Sequence, residues 1–179
     1  MSVTLMSVTD TAALVRKALK EAFPGVKFGV RSSKYSGGAT IGVRWTDGPN
    51  GAQVDAVVQI FQGSYFDGSQ DLKGNRYAMI DGRRVSFGAD SVHTSRMHSR
   101  ALCQRIIRRF PHMELQVSGS DQFGWNIGGL GTFDEMRPVY EALRKHSDRL
   151  RVEKSLTAGK VIYLGNDGYS DIGALRADI

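Results

Sequence analysis

Two short segments constrain this chain more than anything else in it. Residues 26–31 and 39–45 each alternate apolar and polar side chains, and the run SSKYSGG joins them. A period of two puts Val26, Phe28 and Val30 on one side of a strand and Lys27, Gly29 and Arg31 on the other. Ile41, Val43 and Trp45 are set against Thr40, Gly42 and Arg44 in the same way. Directly opposed residues share a face, so the expected register is Val30–Ile41, Phe28–Val43 and Val26–Trp45 on the core side. Arg31–Thr40, Gly29–Gly42 and Lys27–Arg44 then pair on the outer side.

The remaining elements are arranged around this hairpin. Residues 10–22 form a helix capped by Asp10 and stopped by Pro24-Gly25. A second helix covers residues 51–62, with Asn50 and Gln53 in a capping-box pattern and Gly63 at its end. Residues 63–75 read as a polar loop. Residues 76–88 form another hairpin, turning at Asp81-Gly82. A helix follows over 96–110, then short strands over 113–118 and 123–127. After the glycine-rich break at 128–131, Thr132 caps a helix to His146 that Pro138 kinks or delays. The last strand covers 160–164, and turn signals fill the tail from Gly165. With 21 glycines, 4 prolines and tight hairpins, the order α-ββ-α-ββ-α-ββ-α-β indicates an α+β fold. Antiparallel hairpins would form a sheet packed against three to four helices. Residues 1–130 form the principal α+β domain, and residues 131–179 a helix-strand extension packed on it.

A chain of 179 residues suits one domain with a real core. The lone Cys103 excludes an intramolecular disulfide and a cysteine-rich zinc site. The opening MSVTLMSVTD has no signal-peptide character, and no apolar run reaches bilayer length. A soluble, cytoplasmic protein is expected. The net charge of +6 favours an anionic partner or simple solubility.

Most catalytic motifs fail on inspection. Gly37 to Gly42 has Walker A glycine spacing, but Val43-Arg44 replaces Lys-Ser and a strand replaces the helix. The GGLG at 128–131 precedes a helix and is read as a plain loop. His93, His98 and His112 show no paired ligand spacing, and Asp67 with Asp71 lacks the later glutamate of a calcium loop. No metal or cofactor is expected. Cys103 falls in the apolar arc of its helix, and no base accompanies Ser32, Ser33 or Ser36.

Basic residues carry the stronger signal. No acidic residue occurs from Ser91 to Met113, a stretch holding Arg96, Arg100, Arg105, Arg108 and Arg109. At 100° per residue, Leu102, Cys103, Ile106, Ile107 and Phe110 share one arc, leaving Arg100, Arg105, Arg108 and Arg109 on the other. These arginines either pair with distant acids or face an anion. The outer hairpin side adds Lys27, Arg31 and Arg44 around Gly29 and Gly42, where a helix or a ligand backbone could approach closely. Lys34 and Tyr35 sit at the tip, where a base could stack on the ring.

The run RSSKYSGGATIGVRWTDGP, then IFQGSYFDG, then DGRRVSFGADSV together resemble a "large polyvalent protein-associated domain" family of phages and conjugative elements. The similarity covers about residues 26–95 and is weaker to about 127. One departure is the end of the last motif, where the family has an aromatic and Cys-Arg and this chain has Val92-His93-Thr94-Ser95-Arg96. The resemblance implies a protein that accompanies mobile DNA into a host and acts on host defence. It carries over no catalytic residue.

The sequence therefore suggests a non-enzymatic protein that binds nucleic acid or a host nucleoprotein defence complex. The expected contacts are Lys27, Arg31, Lys34, Tyr35, Arg44, Arg100, Arg105, Arg108 and Arg109. Two alternatives stand beside it: a small metal-dependent nuclease or nucleotide-modifying enzyme using Asp67, Asp71 or Asp90 with a histidine, and a structural or packaging protein of a mobile element.

Overall fold

The computed structural model of the protein describes residues 3–68, 71–148 and 151–167. A two-residue strand, β1 (Thr4–Leu5), leads into helix α1 (Val8–Ala22). This helix begins earlier than Asp10. Its cap is Ser7, whose hydroxyl accepts the Asp10 amide at 3.0 Å, and Asp10 becomes an acidic first-turn residue. Ala12, Val15, Ala18, Leu19 and Ala22 make the buried stripe.

Strands β2 (Gly29–Tyr35) and β3 (Gly38–Thr46) form the hairpin in a register different from the expected one. Val30 faces Val43, Arg31 faces Gly42, and Gly29 faces Arg44. The reason is the turn. β2 continues to Tyr35, and only Ser36-Gly37 separates it from β3, with Gly37 at φ 89°. Val26 and Phe28 consequently precede the ladder. Phe28 instead packs between Phe23 and Trp45, 5.7 Å from each ring.

Helix α2 (Gly51–Val58) has the expected Asn50–Gln53 capping box and continues as a 3₁₀ turn, Gln59–Phe61. The segment read as a polar loop instead holds β4 (Ser64–Asp67) and the start of β5 (Leu72–Ile80), paired antiparallel. The Tyr65 ring lies over Gly74, where a Cβ would come within 2.3 Å of it. β5 and β6 (Arg83–Ser86) form the second hairpin, with Asp81 and Gly82 both at positive φ in its turn.

The basic segment divides in two. Its first part is a strand, β7 (Ser91–Met97), running parallel to β3. Helix α3 is confined to Arg100–Ile107, with Ser99 as its cap. β8 (Leu115–Ser120) and β9 (Gly124–Gly129) follow as a hairpin. Helix α4 (Phe133–Lys145) starts at Thr132 with a Glu135 capping box and runs through Pro138. A single turn, α5 (Leu156–Gly159), and β10 (Ile162–Asn166) complete the described chain.

The fold is α+β, with one sheet ordered β1-β6-β5-β10, β4 also pairing β5, and a second ordered β2-β3-β7. Parallel pairing occurs between β1 and β6 and between β3 and β7, alongside the antiparallel hairpins. Two apolar clusters exist. The larger joins α1, α2, the 3₁₀ turn, the inner faces of both sheets and Val161. The smaller joins Leu102, Cys103 and Ile106 of α3, Ile127 of β9, and Met136, Val139 and Leu143 of α4. Arg96 bridges them. Its guanidinium donates to the carbonyls of Asp47 (3.1 Å) and Gly48 (3.3 Å) and to that of His146 (2.7 Å) at the end of α4.

Candidate nucleic-acid interface

The inner side of β2-β3-β7 is covered because Val30, Ala39, Ile41, Val43, Trp45 and Val92 are buried there. Alternation sends the intervening residues to the other side. Three cross-strand rows result: Gly29–Arg44–Ser95, Arg31–Gly42–His93 and Ser33–Thr40–Ser91. This face carries two arginines, a histidine, four hydroxyls and two glycines, with no carboxylate in the rows. Each arginine has a glycine directly across the hairpin, so Arg31 and Arg44 are diagonal neighbours and are not opposed. The anticipated Lys27–Arg44 and Gly29–Gly42 pairs do not form. Among the described residues no helix covers the glycines: a Cβ at Gly42 would meet nothing nearer than the Arg31 carbonyl at 4.0 Å. At one end of the sheet, Lys27 and Arg44 share a cavity of about 540 Å³ with Val26, Thr46 and Met97.

The other basic residues are dispersed. Lys34 pairs with buried Ala39 and so points to the inner side, where it lines a separate cavity. Arg100 lies over the Trp125 ring, 5.3 Å from its centroid. Arg105 has a carboxylate partner after all, Asp148 at 3.3 Å, which His146 also contacts at 3.0 Å. Arg108 and Arg109 are exposed at the C-terminal end of α3 and form no ion pair among the described residues. His98 is half-buried, and burial beside Arg96 lowers its pKa.

Tyr35 belongs to a cluster that no local pattern indicated. Its hydroxyl donates to Asp90 Oδ2 at 2.9 Å, and the Ala39 amide donates to the same oxygen at 3.1 Å. Ser64 Oγ and Lys73 Nζ reach Oδ1 at 2.8 and 2.7 Å. Lys73 also donates to the Gly37 carbonyl in the hairpin turn at 3.2 Å. Partial burial pushes the Asp90 carboxyl up, but the donors from Lys73, Ser64 and Tyr35 outweigh it and hold the pKa below the usual range. The same Asp90 bond raises the Tyr35 phenol. Gly38 makes the approach possible, since a Cβ there would lie 1.8 Å from Asp90 Oδ2. The three segments that carry the family resemblance therefore meet at one carboxylate.

Asp90 has hydroxyl and ammonium partners here and no histidine. Asp71 sits at φ 52° in the turn before β5, and the side chain of Asp67 lies outside the described residues. Among the described residues, no group of three or more His, Cys, Asp or Glu converges as a metal site, and no helix is long and apolar enough to cross a membrane.

These features define an α+β protein with an open, arginine-bearing sheet face and a buttressed hairpin tip. The family model of large polyvalent protein associated domain 29 matches residues 6–99, just over half of the 179-residue chain. The chain belongs to that family, as its three motif segments imply, and the family associates it with phages and mobile elements. No curated protein and no solved structure matches it. The matched segment runs from the residue before Ser7 to the cap of α3, so it contains α1 through β7 and both sides of the cationic face.

Proposed function

We propose that the protein is a phage or mobile-element accessory factor that counters host defence in the bacterial cytoplasm. It does so by binding nucleic acid, or a nucleoprotein defence complex such as a CRISPR effector or a restriction enzyme. The observation that carries this reading is the outer face of β2-β3-β7, where Arg31 and Arg44 stand among serines, threonine and glycines without a carboxylate. Arginine and hydroxyl side chains are the usual donors to phosphate oxygens. Gly29 and Gly42 leave room for a backbone to come close. Lys27 extends the charge into the cavity beside Arg44, and Arg100, Arg108 and Arg109 add cations on the helix after β7.

Fluorescence anisotropy with labelled duplex DNA, single-stranded DNA and RNA tests this. Contacts from Lys27, Arg31 and Arg44 predict a log–log salt slope of roughly −2 to −3. The double variant Arg31→Glu/Arg44→Glu should lose binding and keep its melting temperature. A folded double variant that binds normally refutes the reading.

A further inference from the structure

A second feature lies away from the sheet face. Between the 3₁₀ turn after α2 and the inner side of β5 and β10 is a cavity of about 260 Å³. Its polar lining comes from Arg76, Gln59, Gln62 and Tyr163, and its apolar walls from Ile60 and Phe87. Arg76 alternates with Asn75 and Tyr77 and shares its side of β5 with buried Ala78. Tyr163 is paired with Ala78 and so faces the same way.

An arginine on the core side of a strand ordinarily has a carboxylate partner. Arg76 has none within ion-pair distance among the described residues, and its Nε is buried without any hydrogen-bond partner. No other lining residue is charged. A partly desolvated, unpaired guanidinium is costly, and an anion binding in its fork would remove that cost.

The rest of the lining narrows the ligand. Gln59 Nε2 donates to the Val92 carbonyl at 3.0 Å, and Gln62 Nε2 to the Ser64 carbonyl at 3.1 Å. Each bond uses one of the two amide N–H groups, so both side chains keep an oxygen that can accept from a ring N–H or amino group and one N–H that can donate to a ring nitrogen or carbonyl. Phe87 and Tyr163 provide flat apolar surface for a ring. The volume suits a small molecule and lies below the roughly 300–1,000 Å³ usual for larger ligands.

We propose that this cavity binds a small planar anion, a heteroaromatic ring carrying a phosphate or a carboxylate, with Arg76 holding the anionic group. The site is independent of nucleic-acid binding at the sheet face.

Isothermal titration of the full chain with the four 5′-ribonucleoside monophosphates, with nicotinate and with inorganic phosphate tests it. At least one ring-bearing anion should bind, and inorganic phosphate should bind more weakly. Preference for the nucleotides identifies phosphate as the anionic group, and preference for nicotinate identifies carboxylate. Arg76→Met should weaken binding at least about tenfold, the loss expected for a hydrogen-bonded charge. It should melt no lower than the wild type, since the charge it removes is unpaired. Tyr163→Ala, at an exposed wall, should also weaken binding and serves if Arg76→Met does not fold. The proposal is overturned if none of the ring-bearing anions binds at millimolar concentration. It is equally overturned if folded Arg76→Met binds them normally, or if that variant melts several degrees lower. Loss of binding in Arg31→Glu/Arg44→Glu would assign the anion to the sheet face and overturn it too.

Discussion

Replacing Asp90 with alanine removes the acceptor on which the hairpin tip, β4 and β5 converge. Lys73 and Tyr35 are solvent-accessible and turn to water when the carboxylate goes, so no stability is assigned to them. Ser64 and Ala39 are both buried, so the Ser64 hydroxyl and the Ala39 amide are left without their acceptor. A stranded donor costs about 1–3 kcal/mol, and two give about 2–6 kcal/mol. Cavities of about 310 and 210 Å³ flank the carboxylate, so water reaches the vacated position and the low half of the range applies. About 3 kcal/mol corresponds to roughly 6–12 °C in Tm for a chain of this length. Asp90→Asn keeps one acceptor oxygen and should lose about half as much. The folded-state pKa of Asp90 is depressed below its ordinary 3.8. Its contribution is therefore complete above the ordinary value and is lost as pH falls through the lower folded value. Differential scanning calorimetry should show the full gap between wild type and Asp90→Asn at pH 7 and a closing gap below the ordinary carboxylate pKa. An Asp90→Ala shift below about 2 °C, less than 1 kcal/mol, refutes this account of the cluster, as does an Asp90→Asn gap that persists in acid.

Gly38→Ala should destabilise by about 2–4 kcal/mol, because its Cβ would clash with Asp90 Oδ2 and the Tyr35 ring. Chemical denaturation of the double variant should show strong non-additivity, since Asp90→Ala removes the nearest clashing atom. Arg96→Met strands the carbonyls of Asp47 and His146, while that of Gly48 keeps the Asp148 amide, and should cost about 2–4 kcal/mol. Hydrogen exchange should then rise more in α4 than in α1. Cys103 is buried, and burial pushes its thiol pKa up. Thiol reagents should label it only as fast as the native state opens, and rapid labelling of folded protein would contradict its place in the smaller core.

What the sequence revealed depended on how local its cause was. The Asn50–Gln53 capping box, the Thr132 cap and the Asp81-Gly82 turn each involve residues within four positions, and all three are present. The hairpin register was not legible because a slip of two residues keeps every side chain on its own face. The apolar pattern is then equally satisfied, and only the turn decides. β7 carries no local signal, and a helix expected over 96–110 overlaps only its last two residues, because its pairing partner, β3, lies some fifty residues earlier. β4 and the start of β5 give no legible pattern because the usual rule is inverted there, with Ser64 buried and Phe66 and Leu72 exposed. Arg31 and Arg44 could be placed on an outer face from alternation alone. The Arg105–Asp148 and Tyr35–Asp90 contacts could not, since they span 43 and 55 residues.

The family boundary and the core boundary coincide, and this bears on how the two halves depend on each other. The matched segment ends at Ser99, where α3 and the smaller core begin. Yet the chain returns to the larger core afterwards. Glu21 of α1 accepts the Thr157 amide and both the Ser155 and Thr157 hydroxyls, fixing α5 against the first helix. β10 then pairs with β5 and occupies what would otherwise be a free sheet edge. The unit α3-β8-β9-α4 is thus placed in sequence between two parts of one core, with Arg96 tying its last helix to the turn after β3. A chain ended at Ser99 would keep the cationic face but lose the cover on β5, the Tyr163 wall of the Arg76 cavity, and the carbonyl partners of Arg96 on α4. The matched segment holds the sheet face of the proposed interface, and the later residues supply the α3 cations, the edge protection and the bracing.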